Sequence, residues 1–455
     1  MGIPHVLAVP YPAQGHVIPM MELLQRFVKQ GFKVTCVNTE FNHKRVMKAL
    51  NGTDGHVEDG IHMTSIPDGL GPSEDRNDFV KFLKGIFQVM PGKLEELIER
   101  INETDDNKIT CLVADETMGW AFKVAAKLGI RKVAFWPASA ALLASMFNIP
   151  KLIEEGIINS NDGTVIKHQM ISLPANMPAV NTENMAWVCF PDLETQKSVF
   201  DVILKTNEFV KLADFIVCNS AYELEPAAFT LFPNILSIGP LIAGNQLGKQ
   251  VGHFWPEDST CLSWLDQQPA CSVIYVAFGS FTVFDPEQFQ ELALGLEQTN
   301  KPFLWVVRPD MTDKLNEAYP KGFIDRIGSR GRMVGWAPQE KVLRHPSVAC
   351  FLSHCGWNST IEGVSNGVPF LCWPYFADQF LNKNYICDVW KVGVGFEKDD
   401  CGIIRQSEIK DKVEQLICDK QFKARVLDLK DKVVNTVNDQ GCSNKNLSSV
   451  IDSMK

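Results

Sequence analysis

The sequence predicts an α/β protein of two doubly wound domains, each a parallel sheet with helices on both faces, with a ligand cleft between them. Three observations carry this. Short apolar runs such as His5 to Val9 and Val273 to Phe278 lack polar alternation, as in strands buried on both faces. Helical stretches alternate with those runs. The alternating series also starts twice, at His5 and again at Ser272, and a chain of 455 residues suits two to three domains of about 150 residues each.

The elements follow in chain order. After the first strand, Tyr11 to His16 reads as a loop and Val17 to Gln30 as a helix, with Met20, Leu23, Leu24 and Phe27 on one face and Gly31 as its stop signal. Phe32 to Val37 is a second strand. Ile109 to Ala114 is a strand ending in Asp115, followed by a helix from about Met118 to Leu128. Lys132 to Trp136 and Phe215 to Asn219 are further strands. Gly239 to Thr260 is rich in Gly, Asn, Gln and Pro, has no period and reads as a linker. The second series has strands at 273–278, 303–307, 332–335, 350–353, 370–373 and 393–396. Helices are expected at 286–299, 339–344, 359–365 and 379–390, and the chain from Ser407 onward is helical. The expected division is 1–238, a linker at 239–260, 261–437, and a terminal helix at 438–455 returning to the first domain.

Composition narrows the function classes. The net charge of −10 disfavours a general polyanion binder, so nucleic acid is not an expected partner. Thirteen cysteines, none in a C-x-x-C pair, fit small core residues of a reduced, cytoplasmic protein rather than a zinc or redox motif. Val133 to Pro150 is uncharged, but Pro137, Ser139, Ser145 and Asn148 interrupt it, so no membrane span is expected. Met1 to His5 lacks the basic region of a signal peptide. Neither G-x-G-x-x-G before a helix nor a phosphate loop of the G-x-x-x-x-G-K-[ST] type occurs.

The densest unusual composition runs from Trp336 to Gln379 and holds three of the ten tryptophans. In Ser353-His-Cys-Gly-Trp-Asn-Ser-Thr360 a strand ends, a glycine turns the backbone, and Asn358 or Ser359 caps a new helix. A helix start offers N–H donors and a positive dipole end to a phosphate, and His354 can add a donor. Glu362 lies four residues after Asn358 on the same helix face, where a carboxylate can take both hydroxyls of a ribose. Gly279-Ser280 is a second candidate phosphate loop, Trp336 can stack on a nucleobase, and Asp378-Gln379 suit sugar hydroxyls. Each residue alone also fits a structural role: a core tryptophan, a plain helix cap, a hydrogen-bonded histidine, a loop-to-helix junction. The residues by themselves leave the nucleotide-sugar site and the structural reading level.

The 44 residues WAPQEKVLRHPSVACFLSHCGWNSTIEGVSNGVPFLCWPYFADQ resemble, without gaps, the signature box of plant secondary-product UDP-glycosyltransferases. The resemblance extends over essentially the whole chain, from HVLAVPYPAQGHVIPM to the last helix. It implies a GT-B fold of two Rossmann-like domains facing each other across a cleft, and inverting transfer of a sugar from a UDP-sugar to a small acceptor. Carried over by position, Trp336 would stack on uracil and the Ala337 backbone would bond its edge. Gln339 and Glu362 would hold the ribose. His354, Asn358, Ser359 and Ser280 would hold the diphosphate, and Trp357, Asp378 and Gln379 the sugar. A glutamine at the last box position implies UDP-glucose as donor. One departure is Asp439-Gln-Gly-Cys-Ser-Asn444, where family members commonly carry Gly-Gly-Ser-Ser.

His16 precedes the first helix, and a neutral imidazole can take a proton from an acceptor hydroxyl as it attacks. UDP leaves readily, so a base and a stabilised diphosphate are sufficient. Asp115, 99 residues later at the end of another strand, would fix the imidazole tautomer and stabilise the imidazolium. The family has its base and helper aspartate at these positions. No metal or other cofactor is expected. Met118, Trp120, Trp136, Phe147 and Phe190, with Phe376 from the second half, are the candidate acceptor contacts. The expected partners are a UDP-sugar and a small-molecule acceptor, for a monomer. A non-catalytic UDP-sugar sensor or scaffold is the alternative; the paired His16 and Asp115 argue against it. A membrane-anchored glucuronosyltransferase is disfavoured by the missing signal peptide and anchor.

Overall fold

A computed structural model describes residues 2–49, 60–76, 78–172, 177–244, 254–312 and 315–455. The chain divides into two compact units, Met1–Trp255 with Val434–Lys455, and Pro256–Val433.

The first unit is built on β1 (His5–Val9), β2 (Lys33–Thr39), β3 (Ile61–Ile66), β4 (Ile109–Asp115) and β5 (Arg131–Trp136). After a two-residue antiparallel pair, β6 (Met170–Ile171) with β7 (Val180–Asn181), come β8 (Phe215–Cys218) and β9 (Ile235–Ser237). The large sheet is parallel in the order β3-β2-β1-β4-β5-β8-β9. The continuous apolar runs of β1 and β4 are buried along nearly their whole length, as central strands covered on both faces must be. The helix Gln14–Lys29 lays Val17, Met20, Leu23, Leu24 and Phe27 on Val6, Ala8 and Val34. The last helix, Cys442–Met454, adds Leu447, Val450, Ile451 and Met454 to the same core. Burial of each such side chain contributes about 1.5–3 kcal/mol.

The second unit carries β10 (Val273–Ala277), β11 (Phe303–Val306), β12 (Gly331–Val334), β13 (Val348–Ser353), β14 (Phe370–Cys372) and β15 (Gly393–Gly395). They are parallel in the order β12-β11-β10-β13-β14-β15. Its core joins Ile274, Val276, Trp305 and Leu352 to Phe289, Leu292 and Leu296 of the helix Pro286–Gln298.

Both sheets are doubly wound, and each reverses its strand order once. In the first sheet β1 lies between β2 and β4, and in the second β10 lies between β11 and β13. Ligands of such sheets bind beyond the carboxyl ends of the strands at these reversals.

Four expectations differ from the structure. The Gly239–Thr260 stretch is not all linker: Leu241 and Ile242 are buried, and the Leu241 carbonyl accepts from Arg26 at 3.3 Å. Two apolar residues among Gly, Asn and Gln were too few to show a period; residues 245–253 of that stretch lie outside the described residues. The return to the first unit begins at Val434, not 438. The strands β3 and β9 were not foreseen, because one is polar at three of six positions and the other has three residues. The helix expected at 379–390 ends as α-helix at Asn384 and continues to Val389 as a π-turn. Among the described residues no helix is long and apolar enough to cross a membrane.

Candidate active site

The first unit places His16 beyond the end of β1 and Asp115 as the last residue of the neighbouring strand β4. The helix starts at Gln14, so His16 stands in its first turn rather than on a loop. Ala13 caps that helix without a side-chain bond, and this missing signal hid the true start. The preceding loop is tied down by Asn42, whose amide donates to the Pro12 carbonyl at 2.7 Å. His16 Nδ1 donates to Asp115 Oδ2 at 2.7 Å. Asp115 is fully buried, and its other oxygen accepts from the Thr117 N–H at 3.0 Å, so the carboxylate is held from two sides. The Tyr11 ring lies 5.0 Å from the imidazole. Burial, reinforced by Asp115, pushes the adjacent Glu116 carboxyl up to about 8, so Glu116 keeps its proton at neutral pH and adds no charge beside the pair. The arrangement is a tautomer-fixed imidazole able to accept a proton through Nε2.

The second unit gathers the signature residues beyond β10, β12, β13 and β14. His354 follows β13 and is wedged between two glycines. A Cβ on Gly279 would stand 2.6 Å from its Nε2, and one on Gly356 would stand 2.5 Å from the same atom. Gly279 also has a φ of +67°, so the loop after β10 requires glycine for both reasons. Burial first, and Arg308 second, lower His354 to about 4, making it a neutral imidazole at physiological pH. The next helix runs Trp357–Asn366. Its cap position is Gly356, which has no side chain to cap with; Asn358 and Ser359, expected as caps, stand inside the first turn. A helix start carries a positive dipole end, a feature an anion needs.

Beside it, Gln339 is the hub of a polar cluster. Its amide donates to Ser359 Oγ at 2.9 Å and to Glu362 Oε2, and its carbonyl accepts from Tyr275 Oη at 3.1 Å. Burial pushes Glu362 up to about 7, against the opposing bond from Gln339. Trp336 is half-exposed at the end of β12, its carbonyl fixed by the Asp258 N–H at 2.9 Å; Ala337 is buried. The Trp336 backbone is therefore anchored while the residue stays half-exposed.

The loop after β14 turns at Ala377, φ +54°, into Asp378 and Gln379. Gln379 Oε1 accepts from the Tyr375 and Phe376 N–H groups at 2.7 and 3.1 Å. Asn382 donates to Asp378 Oδ2 at 2.8 Å and to the Cys355 carbonyl at 2.9 Å, which ties this loop to the His354 loop. Trp357 is buried against Trp390. Ser280 is half-buried beside Gly279.

The acceptor candidates lie in separate surroundings within their own units. Met118, Trp120 and Trp136 are buried in the first unit, and the Trp136 N–H is spent on the Ser139 carbonyl at 2.7 Å. Phe147 pairs with Phe232 and Phe190 with Phe79. Phe376 belongs to the second unit and pairs with Phe281 and Tyr375.

Sequence reasoning passed over three polar residues of the second unit. Tyr275 and Asn382 sit inside an apolar strand and a helix, and carry no local signal. Arg308 did have one: a charged residue that ends the apolar run Phe303 to Val307 and is followed by Pro309. Among the described residues no cluster of His, Cys, Asp and Glu is arranged to hold a metal ion, and all thirteen cysteines are thiols.

A family model described as UDP-glucoronosyl and UDP-glucosyl transferase matches residues 4–434. UDP-glycosyltransferase 83A1 of Arabidopsis thaliana is 46% identical over 464 residues, 100% of this chain and 97% of that protein. The 7-deoxyloganetin glucosyltransferase of Catharanthus roseus is 33% identical over 478 residues, 99% and 96% of the two chains. The solved structure of Phytolacca americana UGT2 complexed with UDP-2fluoro-glucose and pterostilbene matches with a TM-score of 0.82 at 28% identity, covering 100% of this chain and 99% of that one.

Proposed function

We propose, from the premise that the chain belongs to the UDP-glucoronosyl and UDP-glucosyl transferase family and is a UDP-glycosyltransferase of the GT-B class, that it transfers glucose from UDP-glucose to a hydroxyl or carboxyl of a small lipophilic plant metabolite, with inversion. The observation that carries the catalytic part is the 2.7 Å bond from His16 Nδ1 to the buried Asp115. In the step, the acceptor oxygen attacks C1 of glucose and gives its proton to His16 Nε2. The bond from C1 to the phosphate oxygen breaks, and its electron pair leaves with UDP. Asp115 stabilises the imidazolium that forms.

Stacking on Trp336 and the Gln339–Glu362 pair would select a nucleoside, and the positive dipole end of the helix at Trp357 would face the diphosphate. Asp378 and Gln379 would read the sugar. Those donors offset the diphosphate charge without a metal, so undiminished turnover in EDTA is expected. The relatives whose names include glucosyltransferase, and the neighbour bound to UDP-2fluoro-glucose, support glucose as the sugar. UDP-glucose incubated with a mixed library of phenolic and terpenoid alcohols and acids, read by mass spectrometry, tests the proposal. A hexose adduct on one acceptor class supports it. Binding of UDP-glucose without any adduct would leave a sensor, and preference for another UDP-sugar would refute the donor assignment.

A further inference from the structure

Arg308 is 1% exposed, and its guanidinium is used on every side. Nη1 donates to the Gly279 carbonyl, Nη2 to the Thr282 carbonyl at 2.8 Å, and Nε to Asp310 Oδ1 at 2.9 Å. Its own carbonyl accepts from the Met311 N–H at 3.1 Å, and the Met311 carbonyl accepts from Phe284 at 2.8 Å. One buried side chain thus grips both ends of the 279–282 turn, and the 308–311 segment holds Phe284, two residues beyond it.

The turn's own donors are not consumed. Among the described residues no protein acceptor takes the N–H of Ser280 or Phe281. Arg308 draws the carbonyls of Gly279 and Thr282 to itself, which pins the turn at both ends while the N–H groups of Ser280 and Phe281 stay available. A turn in that state is an anion-binding concavity, backed by a buried positive charge. His354 stands against Gly279, so the same clamp seats the imidazole.

We propose that Arg308 is the positioning residue of the diphosphate site: it fixes the 279–282 turn so that the backbone of Ser280 and Phe281 and the His354 ring meet the pyrophosphate of a UDP-sugar. This rests on the reading of the second unit as a UDP-sugar site. It assigns Arg308 no direct contact with substrate. The nucleoside cluster of Trp336, Gln339 and Glu362 makes none of these bonds and is independent of the clamp.

The test compares uridine, UMP, UDP and UDP-glucose binding to the full chain by calorimetry, for wild type, R308Q and R308K, with thermal denaturation as the control on folding. Arg308→Gln loses charged hydrogen bonds to two carbonyls and is expected to weaken UDP and UDP-glucose by about tenfold or more. Uridine should stay within about twofold, and the KM for acceptor should not change. Arg308→Lys keeps the charge but cannot span both carbonyls, so it should fall between the other two; it also serves where R308Q fails to fold. Folded variants that bind UDP as wild type does would overturn the inference, as would equal losses for uridine and UDP. Failure of the wild type to bind UDP would instead overturn the reading of the site itself.

Discussion

Replacing Asp115 by Asn isolates the step on which catalysis is proposed to turn. The side chain is fully buried, bonded to His16 through one oxygen and to the Thr117 N–H through the other. Asparagine keeps the volume, and its single carbonyl oxygen can satisfy Thr117. Its NH2 then faces His16 Nδ1. Two donors cannot face each other, so the neutral imidazole must move its proton to Nε2, the atom that has to receive one from the acceptor. The lost bond to a charged partner is worth about 1.5–3 kcal/mol. At 1.36 kcal/mol per factor of ten, kcat falls by about 10- to 150-fold from that bond alone, and the tautomer change adds to it. KM for UDP-glucose should stay within about twofold, since Asp115 is assigned no contact with the donor.

Steady-state kinetics at saturating UDP-glucose read this directly, with thermal denaturation as control. His16→Ala is expected to lose about 10²–10⁴-fold. The double variant should lose no more than His16→Ala does, because Asp115 acts only through the imidazole. Losses that multiply in the double variant would refute the pairing, and so would a folded Asp115→Asn protein with wild-type kcat.

The other predictions concern the second unit. Trp336→Ala should weaken UDP by about 1–3 kcal/mol, the range of base–aromatic stacking, with kcat at saturation little changed; unchanged UDP affinity in a calorimetric titration would show the indole is not the platform. Glu362 has a folded pKa raised from 4.5 to about 7. Its contribution to stability is therefore present below about 4.5 and lost as pH rises through about 7. Glu362→Gln lacks that loss, so its melting temperature relative to wild type should rise between pH 5 and pH 8 while its KM for UDP-glucose increases; a pH-independent difference would contradict the buried-carboxylate account. Gln379→Ala frees the Tyr375 and Phe376 N–H groups. Turnover with UDP-glucose should fall about tenfold, as for one hydrogen bond of roughly 1–1.5 kcal/mol, with donor preference relaxed and the fold kept. A donor panel that leaves the glucose preference intact would separate Gln379 from sugar recognition.

What could be read from the sequence follows the range of the interactions involved. Central strands such as β1, β4, β10 and β13 announce themselves, because burial on both faces forces continuous apolar runs. His16, Asp115 and His354 were legible because each sits where a strand or loop meets a helix, and Glu362 because it lies four residues after Asn358 on one helix face. The helix start at Gln14 was not, since no capping side chain marks it, and neither was the cap at Gly356, where Asn358 and Ser359 offered a better local signal than the glycine that holds the place. Arg308, Tyr275 and Asn382 act at sequence separations of 29, 64 and 27 residues from their partners. No local pattern encodes such pairs; the order of strands in the sheet brings them together. Leu241 and Ile242 show the converse, an apolar pair too short to overcome the composition around it.

The two strand-order reversals carry opposite buried charges, and that contrast ties the proposed chemistry to the fold. Beyond β1 and β4 the buried charge is the Asp115 carboxylate; beyond β10 and β13 it is the Arg308 guanidinium. In the proposed transfer, positive charge develops on the imidazole as it takes a proton, and negative charge develops on UDP as it leaves. Each buried group has the sign that favours the charge developing in its own unit. Both are held by hydrogen bonds before any ligand arrives, so little reorganisation is left for the reaction itself. Neither demands a basic surface, which is how a chain of net charge −10 can hold a diphosphate. Reversing the buried charge should therefore cost more than removing an exposed one: Arg308→Glu should abolish UDP binding, whereas Asp310→Asn, at a position 58% exposed, should leave it within a fewfold of wild type.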